Sequence, residues 1–426
     1  MRVELVVCQP DMPSDFCQQP IETLYAAAIL DSRGHDAGVI DLRVADLPDN
    51  RIEQADVVFL VTQTYDLTQC YSISLSASRR SVADLRRRAP EVPLVAVGVH
   101  ASLEPEMTAR DLGCDAALPG ELESAVPWLV AQLGDDPHAY RGDLARAPRT
   151  ADLGSLPIPN LGLVDVGRYY GEVVAPGHRS ILRGATGLVF ANRGCPYSCA
   201  YCFVWFGSRM RWREPGQVVA ELAAQVRSGV RDLFFLDYTF TLRRPWVVDL
   251  CERIAASGLD ISWICQTRCE QVDPDLLAVM RAAGCRGVFY GVESPWVAET
   301  DMLKPTPRGV IERAISDTVE AGILPMVFVL IGLENEDPAK AQELHAWLAG
   351  LPAVFDVSTL LPRPFTTLWE RYTADLPRPR SWDGYQALAE AIRDRYFTPP
   401  ALREVQRAIT SLPNYAGHAA APEGRA

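Results

Sequence analysis

Three cysteines, Cys195, Cys199 and Cys202, fall within eight residues in the run Asn-Arg-Gly-Cys-Pro-Tyr-Ser-Cys-Ala-Tyr-Cys-Phe. Such a loop offers three thiolates and no fourth. Soft thiolate sulfur is the ligand that iron-sulfur clusters take, and three donors around one face of a cuboidal cluster leave one iron open to a small molecule. A structural zinc site asks for four closing ligands, usually as two separated Cys-x-x-Cys pairs, and no second pair follows. A disulfide framework is disfavoured by the odd total of 11 cysteines in a long chain whose start, Met-Arg-Val-Glu-Leu-Val-Val-Cys, reads as a strand rather than a secretory leader. Buried, chemically idle thiols remain the alternative, one that suits an isolated cysteine better than this C-x3-C-x2-C spacing.

With an aromatic residue just before its last cysteine, the run resembles the motif of the radical S-adenosylmethionine (radical SAM) superfamily. That resemblance implies a 4Fe-4S cluster on Cys195, Cys199 and Cys202. Its open iron would be chelated by the amino and carboxylate groups of S-adenosylmethionine. An electron from an external reductant of flavodoxin or ferredoxin type would then cleave the sulfonium to a 5'-deoxyadenosyl radical. Tyr201 matches the aromatic whose backbone lies near the adenine.

The elements that must position this loop are those of an α/β protein. At 426 residues the chain has room for two or three domains. Short apolar runs at 2–8, 39–42, 57–61 and 94–97 read as strands, with helices at 20–32 and about 74–88 between them. Strands separated by helices imply parallel pairing, with ligands bound beyond the carboxyl ends of the strands. The loops at those ends hold Thr62 and Thr64, Gly98 and His100, and Gly120 and Glu121. The stretches Gly-Val-His-Ala-Ser-Leu-Glu-Pro-Glu and Leu-Pro-Gly-Glu-Leu-Glu-Ser-Ala resemble the cobalamin-binding domain that precedes many radical SAM modules. That implies a Rossmann-like cobalamin domain over 1–135, with those six residues near the cofactor. Gly98 and Gly120 would allow close backbone approach to a flat macrocycle. His100 is placed only near the cofactor, since a lone histidine in a turn is commonly a hydrogen-bonded structural residue. No Asp-x-His-x-x-Gly element appears, which implies base-off or water-ligated cobalt.

Residues 136–183, rich in Pro, Gly and Asp, read as an interdomain strap. Beyond it, strands at 187–191, 233–236, 261–265, 287–290, 326–331 and 357–360 alternate with helices at 215–228, 245–256, 274–283, 308–321 and 337–349. This is the pattern of a partial (β/α)6 radical SAM barrel over 184–360, with its chemistry at the carboxyl ends of the strands. Asp237, Arg268, Gly291 and Glu293 lie just past or at those ends. The resemblance assigns Asp237 and Glu293 to S-adenosylmethionine. Arg268 has the fork geometry to pair with a carboxylate, and Gly291 lets a ligand approach. Where the family usually shows Gly-x-Pro-Gly-Glu and Pro-x-Pro-Gly-Thr, this chain has Gly332-Leu-Glu-Asn-Glu and Pro362-Arg-Pro-Phe-Thr, and both departures remove a turn glycine. Cys251, Cys265, Cys269 and Cys285 lack cluster spacing and read as core. Residues 361–426 read as helical, either a lid over the substrate pocket or a layer on the barrel.

The net charge of −13 opposes nucleic-acid binding, which depends on cationic side chains displacing phosphate counterions. No apolar run is long enough for a membrane span, and a reducing cytoplasm suits the chemistry. Together the two resemblances imply a cobalamin-dependent C-methyltransferase acting on an unactivated carbon of a small molecule, a specialised-metabolite intermediate. A cobalamin-dependent rearrangement, ring contraction or cyclisation without methyl transfer is the alternative.

Overall fold

The computed structural model describes residues 1–9, 16–47, 50–64, 71–134, 152–171, 184–296, 306–333, 338–397 and 400–415, with Leu182 and a few single residues between 136 and 150. The first sheet takes β1 (Arg2–Val7), β3 (Asp36–Asp41), β4 (Val57–Val61), β5 (Leu94–Val97) and β6 (Ala116–Leu118), in the order β3-β1-β4-β5-β6 and parallel throughout. β4 and β5 are buried along their whole length, as unbroken apolar runs are when helices cover both faces. One face carries α1 (Ile21–Ser32) and α5 (Leu122–Leu133). The other carries α2 (Ser76–Arg88), the short α3 (Val99–Leu103) and α4 (Pro105–Leu112). The chain reverses its direction of progress across the sheet between β1 and β4, and the crevice beyond their carboxyl ends is where open α/β sheets bind ligands. Thr62 and Thr64 stand there.

The second sheet is also parallel, in the sequential order β15-β14-β13-β12-β11-β8. Its strands are β8 (Thr186–Val189), β11 (Asp232–Phe235), β12 (Ser262–Thr267), β13 (Cys285–Glu293), β14 (Leu324–Ile331) and β15 (Val354–Thr359). Between them run α6 (Pro215–Arg227), α7 (Arg244–Ser257), α8 (Pro274–Ala282), α9 (Arg308–Glu320) and α10 (Pro338–Ala349). These helices bury one face of the sheet, together with Cys251, Cys265, Cys269 and Cys285. The other face, with Leu188, Phe234, Ile264 and Phe289, is closed by Ile21 and Tyr25 of α1, Leu153 and Leu156 of the strap, and Phe206.

The strap is stitched to both sheets. Tyr170–Gly171 (β7) pairs antiparallel with Phe16–Cys17 (β2). The Tyr169 hydroxyl donates to Asp41 Oδ2 at 3.0 Å, and Gln217 Nε2 donates to the Gly154 carbonyl at 2.8 Å. The C-terminal helices divide. α13 (Pro400–Thr410) lies along α10, whereas α11 (Thr367–Thr373) and α12 (Trp382–Ile392) join the core on the α2/α4 side of the first sheet. Trp382 Nε1 donates to Thr108 Oγ1 at 2.9 Å and the Tyr385 hydroxyl to Glu104 Oε1 at 2.9 Å. The segment expected as a lid or barrel layer is therefore in part a wall of the first sheet. Among the described residues no helix is long and apolar enough to cross a membrane.

Candidate functional site

Each cysteine is fixed through the backbone of a closed loop. Asn192–Arg193 (β9) pairs antiparallel with Arg211–Trp212 (β10), making a hairpin stem around residues 194–210. Gly194 has φ +97°, and a Cβ there would run into the Arg209 carbonyl, so the turn into the loop needs glycine. Inside it, Cys195 N donates to the Gly207 carbonyl at 3.1 Å and Cys202 N to the Cys199 carbonyl at 3.1 Å. Leu368 N of α11 donates to the Ala200 carbonyl at 2.8 Å, tying the C-terminal helices to the loop. Cys195 is buried and the other two are half-buried.

Among the described residues, no three His, Cys, Asp or Glu side chains converge closely enough to hold a single metal ion. Three soft thiolates on one short loop are the donor set that an iron-sulfur cluster takes. Beside the stem, the fully buried Asn192 amide meets no hydrogen-bonding group among the described residues, a cost that a polar ligand would remove.

Asp237, expected near the methionyl amine, follows β11 and buckles the exit of β8. Its Oδ1 accepts from Ala191 N at 2.9 Å and Asn192 N at 2.8 Å. Burial pushes its carboxyl up to about 7 against the pull of these two donors. A carboxyl raised in the folded state holds a proton that the unfolded chain gives up. Its stabilisation is therefore full below about pH 4 and is lost as pH rises through about 7. The melting temperature of the apoprotein is expected to carry this downward contribution across that window. Asp237→Asn, whose amide oxygen accepts the same two bonds, should flatten it. An unchanged slope in the variant would assign the titration elsewhere.

Glu293 ends β13 at a register shift, where Gly291 pairs with Phe328 and Glu293 with Val329, leaving Val292 extra. The bulge re-aims the chain, and Glu293 takes φ +63° while 7% exposed, a strained backbone for a non-glycine residue. Its carboxylate hydrogen-bonds the Tyr201 side chain, joining β13 to the cysteine loop; burial first, then this carboxylate, raises the Tyr201 phenol well above its ordinary range. Arg268 lies 4.0 Å above the Tyr197 ring, between the first two cysteines in sequence, and pairs with Glu270. Its guanidinium thus already has a carboxylate within the chain. Phe365 stands where the family has glycine and still adopts φ +66°, the turn being kept at the cost of strain. Gly332 retains φ +84°, and a Cβ there would collide with the Phe397 carbonyl.

On the first sheet the expected residues fall into two groups. Thr62, Gly98 and His100 pack together, His100 being 1% exposed. His100 Nε2 faces the Ser72 carbonyl at 2.7 Å and so carries the proton, and Nδ1 lies 3.0 Å from Thr62 Oγ1. Both ring nitrogens thus face groups of the chain, and the ring packs within the sheet's own structure. Gly98 takes φ +102°, and a Cβ there would press on the Gln63 carbonyl and on Thr62 Oγ1. Ser102 Oγ donates to the Gly98 carbonyl at 2.9 Å and accepts from Gly120 N at 2.8 Å, linking the two glycine turns. Thr64 Oγ1 accepts from Arg43 at 3.2 Å. Glu121 turns away from this rim to Arg193 and Arg211, 2.9 and 2.7 Å away. Sequence reasoning placed Glu121 with the cofactor and passed over Arg193, Tyr197 and Asn192. Their position inside or beside the cysteine run was the available signal.

Residues 189–348 match the radical SAM superfamily model and form a radical SAM domain. Over 417 residues the chain is 26% identical to an uncharacterized methyltransferase of Pyrococcus horikoshii, covering 91% of this chain and 86% of that one. Over 376 residues it is 24% identical to the anaerobic magnesium-protoporphyrin IX monomethyl ester cyclase of Rubrivivax gelatinosus, covering 82% and 66%. Among solved structures, the radical S-adenosylmethionine methyltransferase TsrM of Kitasatospora setae, with cobalamin and a [4Fe-4S] cluster bound, superposes with a TM-score of 0.66 at 21% identity. That match covers 86% of this chain and 76% of that one.

Proposed function

We propose that this radical SAM enzyme is a cobalamin-dependent C-methyltransferase acting on an unactivated carbon of a small-molecule intermediate of specialised metabolism. One arrangement carries the reading: a hairpin-closed three-cysteine loop is bonded directly to the ligand-binding end of a second parallel sheet. Residues 1–135 are read as a Rossmann-like cobalamin domain, 136–183 as linker, 184–360 as the partial (β/α)6 barrel and 361–426 as the helical C-terminal region.

When bound, the cluster with S-adenosylmethionine supplies hydrogen abstraction, and cobalamin carries the methyl group. The chain's own residues hold and orient. Cys195, Cys199 and Cys202 would ligate the cluster. Asp237 fixes the strand exit before them, and Glu293 with Tyr201 would form part of the wall for S-adenosylmethionine. The loops of Thr62, Thr64, Gly98 and Gly120 would line the corrin side of a bound cobalamin. An external one-electron reductant of flavodoxin or ferredoxin type is needed. Support comes from the Pyrococcus relative, which spans both sheets, and from the TsrM likeness in fold. The cyclase relative favours a second reading, cobalamin-dependent cyclisation or rearrangement without methyl transfer.

Anoxic turnover with S-adenosylmethionine, hydroxocobalamin and a reductant distinguishes them. S-adenosylhomocysteine together with 5'-deoxyadenosine is the expected result. 5'-Deoxyadenosine alone would move the assignment to the second reading, and neither product would overturn both.

A further inference from the structure

Arg193 and Arg211 face each other across the β9/β10 ladder, where directly opposed like charges repel. Carboxylates from the first sheet answer them. Glu121 Oε2 accepts from Arg193 at 2.9 Å and Glu121 Oε1 from Arg211 at 2.7 Å, and Glu123 Oε1 also pairs with Arg193. The four side chains are 0%, 9%, 6% and 1% exposed for Arg193, Arg211, Glu121 and Glu123. Two buried cations thus meet two buried anions, and the Glu22 carboxylate, also buried, acts on Arg193 as well. The Arg193 guanidinium is further held between the Phe190 and Phe206 rings, 4.5 Å from each centroid. Apolar packing would serve a purely structural joint as well as buried ions do, so the use of charge here points to a constraint beyond stability.

The position of the cluster supplies that constraint. Arg193 lies two residues before Cys195, and Glu121 directly follows Gly120, whose N–H is bonded through Ser102 to the Gly98 turn. Hydrogen bonds and three peptide links thus run without a break from the switch-point loops of one sheet to the first cysteine of the other.

We propose that Arg193 is a positioning residue that, through Glu121 and Glu123, holds the cysteine loop in a fixed relation to the ligand-binding loops of the first sheet. Its charge, balanced by theirs, also sets how readily a cluster on that loop is reduced. The proposal rests on the cluster reading above. Reduction adds negative charge, which a nearby buried cation favours and a nearby buried anion opposes.

The test uses the full chain reconstituted anoxically with iron and sulfide, without S-adenosylmethionine or cobalamin, and an EPR-monitored redox titration. Arg193→Met should shift the midpoint potential to more negative values and Glu123→Gln to more positive ones. The double variant, which keeps the charge balance, should return close to the parent value. A loop that is merely loosened would shift both single variants in the same direction. That result, or no shift in either, overturns the proposal while leaving the cluster assignment standing. If Arg193→Met takes up no cluster, Glu123→Gln, expected at a more positive potential, and the double variant, expected close to the parent, still decide it. A parent protein that takes up no cluster overturns both the proposal and the reading beneath it.

Discussion

Alanine at Cys195, Cys199 and Cys202 together is expected to abolish both the brown iron-sulfur chromophore and cleavage of S-adenosylmethionine. Such an effect is easily confused with misfolding, and the geometry separates the two. The loop is closed by backbone groups: Cys195 N to Gly207 O, Cys202 N to Cys199 O, and Leu368 N to Ala200 O. Alanine leaves all three in place and keeps each Cβ. Far-ultraviolet circular dichroism should therefore stay native while iron and acid-labile sulfide fall to background. Retained cleavage in the triple variant would remove the cysteines from the chemistry, and an unfolded variant would show that the thiols serve the core.

The second large effect is expected at Gly194, through backbone conformation instead of ligation. At φ +97° a non-glycine residue costs on the order of 1–3 kcal/mol from its dihedral alone, and the Arg209 carbonyl occupies the space of the new Cβ. Gly194→Ala should force the β9/β10 stem apart, lower the melting temperature and cut iron uptake by at least about tenfold, an effect that ~1.4 kcal/mol on the competent loop conformation would produce. Gly216→Ala in the first turn of α6 is the control: nothing lies within 4 Å of its added Cβ, and alanine suits a helix. Equal losses in the two variants would mean that the turn into the cysteine loop is not a special position.

The two parallel sheets were legible because their strands are short buried runs separated by helices of ordinary periodicity. In the second sheet the expected strands fall on the observed ones, within a few residues at their ends. The cysteine triad was legible because its spacing is local. What stayed hidden is long-range or lacks a period. β9 and β10 have two residues each, too few for any alternation to register. Glu121 was visible as a loop residue, but its partners Arg193 and Arg211 lie 72 and 90 positions away, and no pattern in one sequence pairs them. At Gly98 a Cβ would press on the Gln63 backbone, a contact between two loops that no pattern in one sequence reports. The docking of Trp382 and Tyr385 on the first sheet was equally hidden, since an amphipathic helix announces that it has a partner and not which one. Glu293 and Phe365 hold positive φ angles that propensity alone would never assign to such residues. Glu293 bonds Tyr201 of the cysteine loop, and Phe365 packs on Trp382 and Tyr385 of the C-terminal helices.

The most direct test of the central claim is the metal content and EPR spectrum of the chain purified and reconstituted without oxygen. About four irons and four sulfides per chain, with a reduced 4Fe-4S signal that changes shape when S-adenosylmethionine is added, is the expected result. Zinc on the three cysteines, or a reduced cluster whose signal ignores S-adenosylmethionine, would contradict it.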